Sequence, residues 1–281
     1  MLDAPKRRTR HSSPGIDAAL SMSESVALPA APPTALSSPS KRSTRESRIL
    51  HQPGFVLHSY PYKETSLIVD VFSREYGRVS LVAKGAKRPT SALRSVLQTF
   101  QPLSISWTGK SEIRTLTTAE WVGGMLPLEK SALLCGFYLN ELLVKFLLRD
   151  EANTILFDLY VSTLNQLAHN ENAAIVLRKF ELILLQQAGL IGDLTYCVHS
   201  RERIEIDHIY VIDPTRGVRP ALAGEGLPNV LGKTLFDMSV GDYIDPTTQL
   251  QSKQLMRYLL SFHLHGIPLN TRQILMDLQK L

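Results

Sequence analysis

Cysteine is scarce in this chain of 281 residues, which contains only Cys135 and Cys197 and no CxxC pair. A disulfide framework and a four-thiolate zinc site are therefore excluded, and a reducing compartment is expected. Long apolar runs are also missing. The longest, Leu133 to Val144, is interrupted by Asn140 and Glu141 and falls short of the roughly 20 apolar residues that span a bilayer. We therefore expect a soluble, cytoplasmic protein.

Recognisable catalytic motifs are absent as well. The GK[ST] triplets at 109–111 and 232–234 lack a glycine five positions before their first glycine, so neither can form a P-loop. There is no HExxH and no GxSxG. One weak cluster of candidate metal ligands comprises Cys197, His199, His208, Asp193 and Asp207. The sequence predicts no catalytic residues, no cofactor and no bound metal, and hence a protein that is not an enzyme.

Charge is unevenly distributed along the chain. Residues 1–49 carry eight Lys and Arg against four acids, residues 50–123 carry nine against five, and residues 124–281 carry fourteen against seventeen. The basic excess therefore lies in the first 123 residues, where a polyanion is the expected partner. With six Pro, ten Ser and few large apolar side chains, residues 1–49 are predicted to be a disordered basic tail.

Short strands are the pattern of residues 50–123. Leu103, Ile105 and Trp107 alternate with serines, which indicates a half-buried strand. Four other apolar stretches lie at 54–60, 66–72, 78–83 and 113–117. Five closely spaced strands predict a compact barrel such as an OB-fold, although an SH3-like barrel would leave much the same pattern.

From Pro127 onward the spacing of apolar residues becomes helical, at three and four positions. The helices predicted in this way cover 133–147, 156–167, 174–188, 255–262 and 271–281. One strand is predicted at 204–212. The expected fold class is α+β, with a five-stranded OB-fold nucleic-acid-binding domain at 50–123. A helical domain follows at 124–281, with an irregular insert around 197–246.

Basic residues cluster in the loops of the predicted barrel, where acids are few. Such loops can follow a phosphate backbone while aromatic rings stack on bases. The residues predicted to bind DNA are Arg74, Arg78, Lys84, Lys87, Arg88 and Arg94. The aromatic candidates for stacking are Tyr60, Tyr62, Tyr76 and Trp107. Trp107 has the phase of Leu103 and Ile105, which favours a place in the core instead.

Five segments of the sequence carry a family resemblance. They are PGFVLHSYPYKETSLIVDVFSREYGRVSLVAKGAKRP (53–89), LQTFQPLSISW (97–107), EIRTLTTAE (112–120), YLNELLVKFL (138–147) and LRKFELILLQQAGL (177–190). In combination and in this order, they resemble the RecO family of recombination mediator and DNA repair proteins. The similarity covers about 50–281 and is densest in the predicted barrel.

This resemblance implies an OB-fold followed by a helical domain, in a protein that binds single- and double-stranded DNA and anneals complementary strands. It also implies work with RecR to help load the recombinase RecA onto strands coated by the single-strand binding protein SSB. The family's basic residues after the third strand fall on Lys84, Lys87 and Arg88. The residues that the resemblance assigns to the acidic, apolar tail of SSB are Arg178, Lys179 and Phe180.

The sequence departs from the family pattern in two respects. Many members have a four-cysteine zinc site after the LRKFEL-type helix, whereas this chain has only Cys197 there, so the metal is expected to be lost. The first 49 residues align with no part of the pattern.

The function predicted from these observations is that of a DNA-binding recombination mediator in DNA repair, cytoplasmic and associated with the nucleoid. Its expected partners are single- and double-stranded DNA, SSB, RecR and, indirectly, RecA, with no membrane. Two alternatives stay open. One is a protein-interaction scaffold that does not bind DNA directly. The other is a nuclease, which would need clustered carboxylates around a metal.

Overall fold

The structure, a computed structural model, describes residues 47–271 together with 273 and 274. The predicted tail at 1–49 and the last predicted helix, 271–281, lie mostly outside the described residues. All described residues belong to one compact unit. Within these residues, no helix combines the length and the apolar character needed to cross a membrane.

Five strands close into a barrel: β1 (Arg48–Tyr62), β2 (Ser66–Ser73), β3 (Gly77–Ala83), β4 (Leu103–Thr108) and β5 (Ile113–Trp121). The first three form an antiparallel meander, and β5 then pairs in parallel with β3 and antiparallel with β4. Closure comes from the antiparallel pairing of β4 with β1. The predicted five-stranded OB-fold barrel is confirmed, with a longer first and last strand than the sequence indicated.

The interior of the barrel is filled by alternate residues of its strands. Leu81 of β3 and both Ile105 and Trp107 of β4 are almost fully buried. Period-two spacing places such side chains on one face of a strand, and each burial contributes about 1.5–3 kcal/mol. Tyr76 packs edge-on against the ring of Trp107, with centroids 5.3 Å apart. The core position expected for Trp107 is confirmed.

Helices dominate the chain after the barrel. The helices are α1 (Ala92–Val96), α2 (Lys130–Phe146), α3 (Thr154–Ala168), α4 (Ala173–Gln187), α5 (Gly232–Val240) and α6 (Pro246–His263). Three begin with a side-chain cap, because Asn153, Asn172 and Asp245 each accept a hydrogen bond from a backbone N–H of the first turn. All of these helices follow the barrel in the chain except α1, which lies between β3 and β4.

The insert around 197–246 is more regular than expected. It contains β6 (Ile209–Asp213), β7 (Gly217–Pro220) and β8 (Val230–Leu231), which form a sheet in the order β7-β6-β8, and it also contains α5. β7 and β8 are too short to show a period, so the sequence pattern indicated only the region of β6.

The barrel and the helices share one hydrophobic core. The ring of Phe55 on β1 packs edge-on against that of Tyr160 on α3, with centroids 5.3 Å apart. A buried polar link crosses the same joint. Asn140 of α2 donates through Nδ2 to the carbonyl oxygen of Leu57 (3.0 Å) and accepts from the Tyr160 hydroxyl (2.6 Å). These contacts hold the helices in a fixed position against the barrel.

Candidate nucleic-acid interface and peptide groove

The segment that follows β3, residues 84–94, is named here the basic loop. Backbone hydrogen bonds hold its shape: the N–H of Lys87 donates to the carbonyl of Thr65 (2.9 Å) and that of Arg88 to the carbonyl of Gly85 (3.0 Å). Ala86 is almost fully buried and anchors the loop in the barrel core. The backbone that carries the cations is therefore ordered before any ligand arrives.

Four predicted DNA-binding residues belong to the basic loop and are exposed: Lys84, Lys87, Arg88 and Arg94. Within the described part of the chain, none of them has an ion-pair partner. A cation without an acidic partner can bind a phosphate without first giving up another contact. The basic loop thus has the electrostatic character that a polyanion requires.

The other two predicted DNA-binding residues, Arg74 and Arg78, lie beside acids. Arg74 donates two hydrogen bonds to the carboxylate of Asp158 on α3 (3.0 and 2.9 Å) and one to Glu75 (2.9 Å). The hydrogen bonds from Arg74 lower the pKa of Asp158, and those to Asp158 and Glu75 raise the pKa of Arg74. Arg78 is 14% exposed, and its Nη1 lies 3.9 Å from Oδ2 of the buried Asp70.

Two more arginines lie at the same joint between the barrel and the helices. Arg114 of β5 pairs with Asp150 at 2.5 Å, and Arg149 pairs with Glu112. The backbone N–H of Asp150 also donates to the carbonyl of Arg78 (3.0 Å). The name junction arginines is used below for Arg74, Arg78, Arg114 and Arg149. The structure therefore separates the six predicted residues into four in the basic loop and two at the junction.

The aromatic candidates for stacking differ in exposure. Trp107 and Tyr76 pack against each other at the barrel core. Tyr62 is half-buried, whereas Tyr60 is exposed and its ring lies 4.4 Å from that of His58. Tyr60 therefore keeps the most accessible ring of the four.

The residues predicted to take an acidic peptide lie on α4 but face different surroundings. Phe180 is fully buried in the core. Lys179 lies near the ring of Tyr243, with Nζ 6.0 Å from the centroid, and lines a cavity of about 500 Å³ between α3, α4 and α5. Arg178 lines a different cavity. Neighbouring residues of a helix point about 100° apart, which separates these consecutive positions.

The cavity beside Arg178 has cations around an apolar lining, and we call it the cationic groove. It measures about 510 Å³ and lies between α2, α4, α6 and the segment after α6. Lys253 and Arg257 of α6 line it too, and among the described residues neither has an ion-pair partner. Its apolar lining includes Leu177, Leu260, Leu264, Ile267, Pro268 and Leu269. The sequence pattern missed both α6 cations because nothing local connects α6 with α4.

A buried carboxyl group lies next to the cationic groove. Glu181 is fully buried and accepts hydrogen bonds from the Tyr138 hydroxyl and from Nη2 of Arg178, both at 2.6 Å. Nη1 of Arg178 lies 2.5 Å from the second carboxyl oxygen. Burial raises the pKa of Glu181 to about 7, against the opposing effects of Arg178 and Tyr138. Arg178 thus interacts with a buried acid while it lines the groove.

The four-cysteine zinc site of the family pattern, which this chain is expected to have lost, does not fit the residues present. Cys197 is buried, and burial raises the pKa of its thiol, which disfavours the thiolate that binds zinc. No three His, Cys, Asp or Glu side chains come together as a metal site in the described ranges. The turn at Cys197 is instead closed by the pairing of Tyr196 with Arg203, whose Nε donates to the tyrosine hydroxyl (3.0 Å).

A closed five-stranded barrel joined to a helical domain defines an α+β protein of the OB-fold type. The cationic loop of this barrel has no ion-pair partner among the described residues. Comparison with protein families matches residues 48–125 to "Recombination protein O N terminal" and residues 129–273 to "Recombination protein O C terminal". The chain belongs to the recombination protein O family.

Curated relatives extend over most of the chain. A protein named DNA repair protein RecO from Ralstonia nicotianae is 59% identical over 238 residues, covering 84% of this chain and 87% of the relative. The protein of that name from Burkholderia pseudomallei is 59% identical over 240 residues, covering 85% and 87%. That from Cupriavidus pinatubonensis is 50% identical over 282 residues, covering 98% and 97%. This last match reaches into the first 49 residues, for which the sequence analysis found no counterpart.

Proposed function

We propose that this chain is a DNA-binding recombination mediator in DNA repair, which anneals complementary strands and helps load a recombinase onto single-stranded DNA coated by SSB. The observation that carries the proposal is the contrast in pairing around the barrel. The cations of the basic loop have no acidic partner in the described structure, whereas the junction arginines lie beside acids. Membership of the recombination protein O family supports the same conclusion.

The mechanism is electrostatic and needs no covalent step. Two DNA strands repel each other through their phosphates, and cations that neutralise part of this charge lower the repulsion. Lys84, Lys87 and Arg88 would provide that charge from one ordered loop. The protein would thereby favour annealing without acting as an enzyme, at the nucleoid in the cytoplasm.

The cationic groove supports the second part of the proposal. An acidic peptide with apolar side chains, such as the tail of SSB, needs cations at the rim of its site and an apolar floor. Arg178, Lys253 and Arg257 supply the cations, and leucines of α4 and α6 supply apolar surface. The tail would keep the protein on coated strands, where RecR and RecA also act.

The decisive experiment measures the salt dependence of DNA binding. In a variant with Lys84→Ala, Lys87→Ala and Arg88→Ala, the slope of log affinity against log salt should fall by about 2–3, because each phosphate contact contributes about 0.7–0.9. The double variant Lys253→Ala and Arg257→Ala is the control, since it removes cations of the helical domain. Slopes that are equal in the wild type and the triple variant would overturn the DNA-binding proposal.

Capture of the acidic tail needs its own experiment. Arg178→Glu should impair binding of an acidic, apolar peptide, but it also places a second acid beside the buried Glu181. Lys253→Glu with Arg257→Glu is the cleaner variant, because both side chains are exposed. Lys179→Glu is the matched control, because this residue lines another cavity. Equal affinity of the α6 double variant and the wild type would remove the groove from the proposal.

Two alternative functions have distinct outcomes in the same assays. A protein-interaction scaffold without direct DNA binding would show no affinity for oligonucleotides even in dilute salt. A nuclease would cleave DNA in the presence of Mg²⁺. The proposed mediator should instead accelerate the annealing of complementary strands, both naked and coated with SSB.

A further inference from the structure

Trp121, the last residue of β5, is an exposed aromatic residue that the sequence analysis did not single out. Trp121 is 62% exposed, whereas the only other tryptophan of the chain, Trp107, is 1% exposed. The indole Nε1–H of Trp121 donates to Oε1 of Gln101 at 3.0 Å. The ring therefore has a defined orientation although most of it faces solvent.

The ring of Trp121 borders a depression of about 570 Å³ at the end of the barrel. The depression lies beside the start of α2, and its apolar walls include Val96, Pro127 and Leu133. Gln98 and Gln101 add amide groups to its lining. A site of this composition offers an aromatic face together with donors and acceptors for the edge of a planar polar ring.

The topology of the barrel brings the basic loop towards the same end. β3 runs parallel to β5, with Ser80 opposite Ile113 and Val82 opposite Thr115. The chain therefore leaves β3 in the direction in which β5 runs to Trp121. The basic loop continues into α1, which packs against β5.

α1 connects the cations directly with the depression. Ser95 and Val96 of α1 line it, and Arg94 precedes them in the helix. Gln98, which also lines the depression, donates through Nε2 to the carbonyl of Arg94 at 2.8 Å. The cations of the basic loop, which have no ion-pair partner among the described residues, thus lie on one continuous segment that reaches the depression beside Trp121.

The acid nearest to Trp121 in the sequence lies on the other face of the strand. Successive residues of a strand point to opposite faces, and Glu120 pairs with Ser104 while Trp121 pairs with the core residue Leu103. Glu120 is therefore directed away from the face of the strand that carries the ring.

We propose that Trp121 is a stacking platform for an unpaired base of single-stranded DNA whose phosphates follow the basic loop. This inference rests on the proposed DNA binding and adds a strand preference to it. A base held in a duplex is covered on both faces by its neighbours, whereas an unpaired base can leave the stack and lie on the indole. Stacking of this kind tolerates any sequence, because every base has a π face.

The test uses the fluorescence of the two tryptophans. Titration with oligo(dT) should quench the emission of Trp121, while the buried Trp107 keeps its emission. A DNA hairpin with a fully paired stem of equal phosphate number should bind through the basic loop with much less quenching. In Trp121→Ala the quenching by oligo(dT) should disappear.

Affinity gives the second readout. Trp121→Ala should lower the affinity for oligo(dT) by between about fivefold and 150-fold, with the salt slope preserved, because stacking does not release counterions. Trp121→Phe should retain part of the affinity. Val122→Ala is the matched control, because Val122 is adjacent, 65% exposed and does not line the depression. Thermal unfolding should be similar for all three variants.

The outcomes separate this inference from the proposed function. Salt-dependent binding of oligo(dT) with unchanged Trp121 emission, and equal affinity in Trp121→Ala, would overturn the platform and leave the DNA-binding proposal in place. Equal quenching by oligo(dT) and by the hairpin stem would overturn the strand preference and with it the platform for an unpaired base. No binding of either DNA would overturn both proposals.

Discussion

Two groups of cations, one on the barrel and one at its joint with the helices, differ in their surroundings. The basic loop presents lysines and arginines without acidic partners among the described residues, whereas the junction arginines lie within ion-pair distance of acids. A count of charges along residues 50–123 does not distinguish the basic loop from the three junction arginines in that range, Arg74, Arg78 and Arg114. Their contacts place the second group at the attachment of barrel and helices and leave the first group available for the polyanion that we propose as its ligand.

The helical domain repeats this contrast around one groove. Arg178 is paired with the buried Glu181, while Lys253 and Arg257 line the same groove without an ion-pair partner in the described ranges. Replacement of a paired arginine changes folding and binding together. Replacement of an unpaired cation changes binding alone, which makes the unpaired residues the more informative targets.

The largest expected effect concerns the junction. In Asn140→Ala the carbonyl of Leu57 and the hydroxyl of Tyr160 each lose a buried hydrogen-bond partner. We expect the free energy of unfolding to fall by about 2–4 kcal/mol in a urea titration. Asn229→Ala, at an exposed position, is the control and should change it by less than about 0.5 kcal/mol. A small effect of Asn140→Ala would mean that the link contributes little to the joint.

A smaller effect on stability is expected from the ionisation of Glu181. It tests the contrast between the paired Arg178 and the other two cations of the cationic groove. Burial raises its pKa from 4.5 to about 7, so the folded protein holds this proton more tightly than the unfolded chain does. The associated stability is present below about pH 4.5 and is lost as the pH rises through about 7. Relative to Glu181→Gln, the wild type should lose on the order of 2–3 kcal/mol between these values.

The measurement for Glu181 is chemical unfolding at a series of pH values. The difference between wild type and Glu181→Gln isolates this carboxyl, because the glutamine does not titrate and other groups cancel. Parallel stability profiles of the two proteins would show that Glu181 titrates near its ordinary pKa.

The smallest effect is expected from the replacement of Arg74. It compares a junction arginine directly with a cation of the basic loop. Arg74→Ala should change the salt slope of DNA binding by much less than one, whereas Lys87→Ala should lower it by about 0.7–0.9. The stability of Arg74→Ala should stay close to that of the wild type, because the ion pair with Asp158 is largely exposed and screened by solvent. If Arg74→Ala lowered the salt slope as much as Lys87→Ala does, this arginine would bind a phosphate despite its acidic partner.

The sequence indicated much of the barrel because its signals are local. The alternation of Leu103, Ile105 and Trp107 predicted a strand with one buried face, and the cations of the basic loop lie close together in the chain. Local spacing carries no information about partners across the fold. The carboxylate that pairs with Arg74 belongs to Asp158 on α3, and no periodic pattern links these two positions.

The same reason explains the other gaps between prediction and structure. The cationic groove joins α4 with α6, and the depression at Trp121 joins the end of β5 with α1. Each exists only after folding has brought distant segments together. Phe180 is the converse case, because the family resemblance assigned it to a peptide-binding surface together with two cations, whereas helical geometry places its side chain in the core.

The shared core of barrel and helices fixes the distance between two surfaces of the molecule. Since Phe55 and Asn140 join both parts, the distance between the basic loop and the cationic groove is set by the fold and not by a linker. A peptide held in the groove and a DNA strand held at the loop would keep a constant separation. When one of these two sites is occupied, this separation sets the local concentration of ligand at the other site.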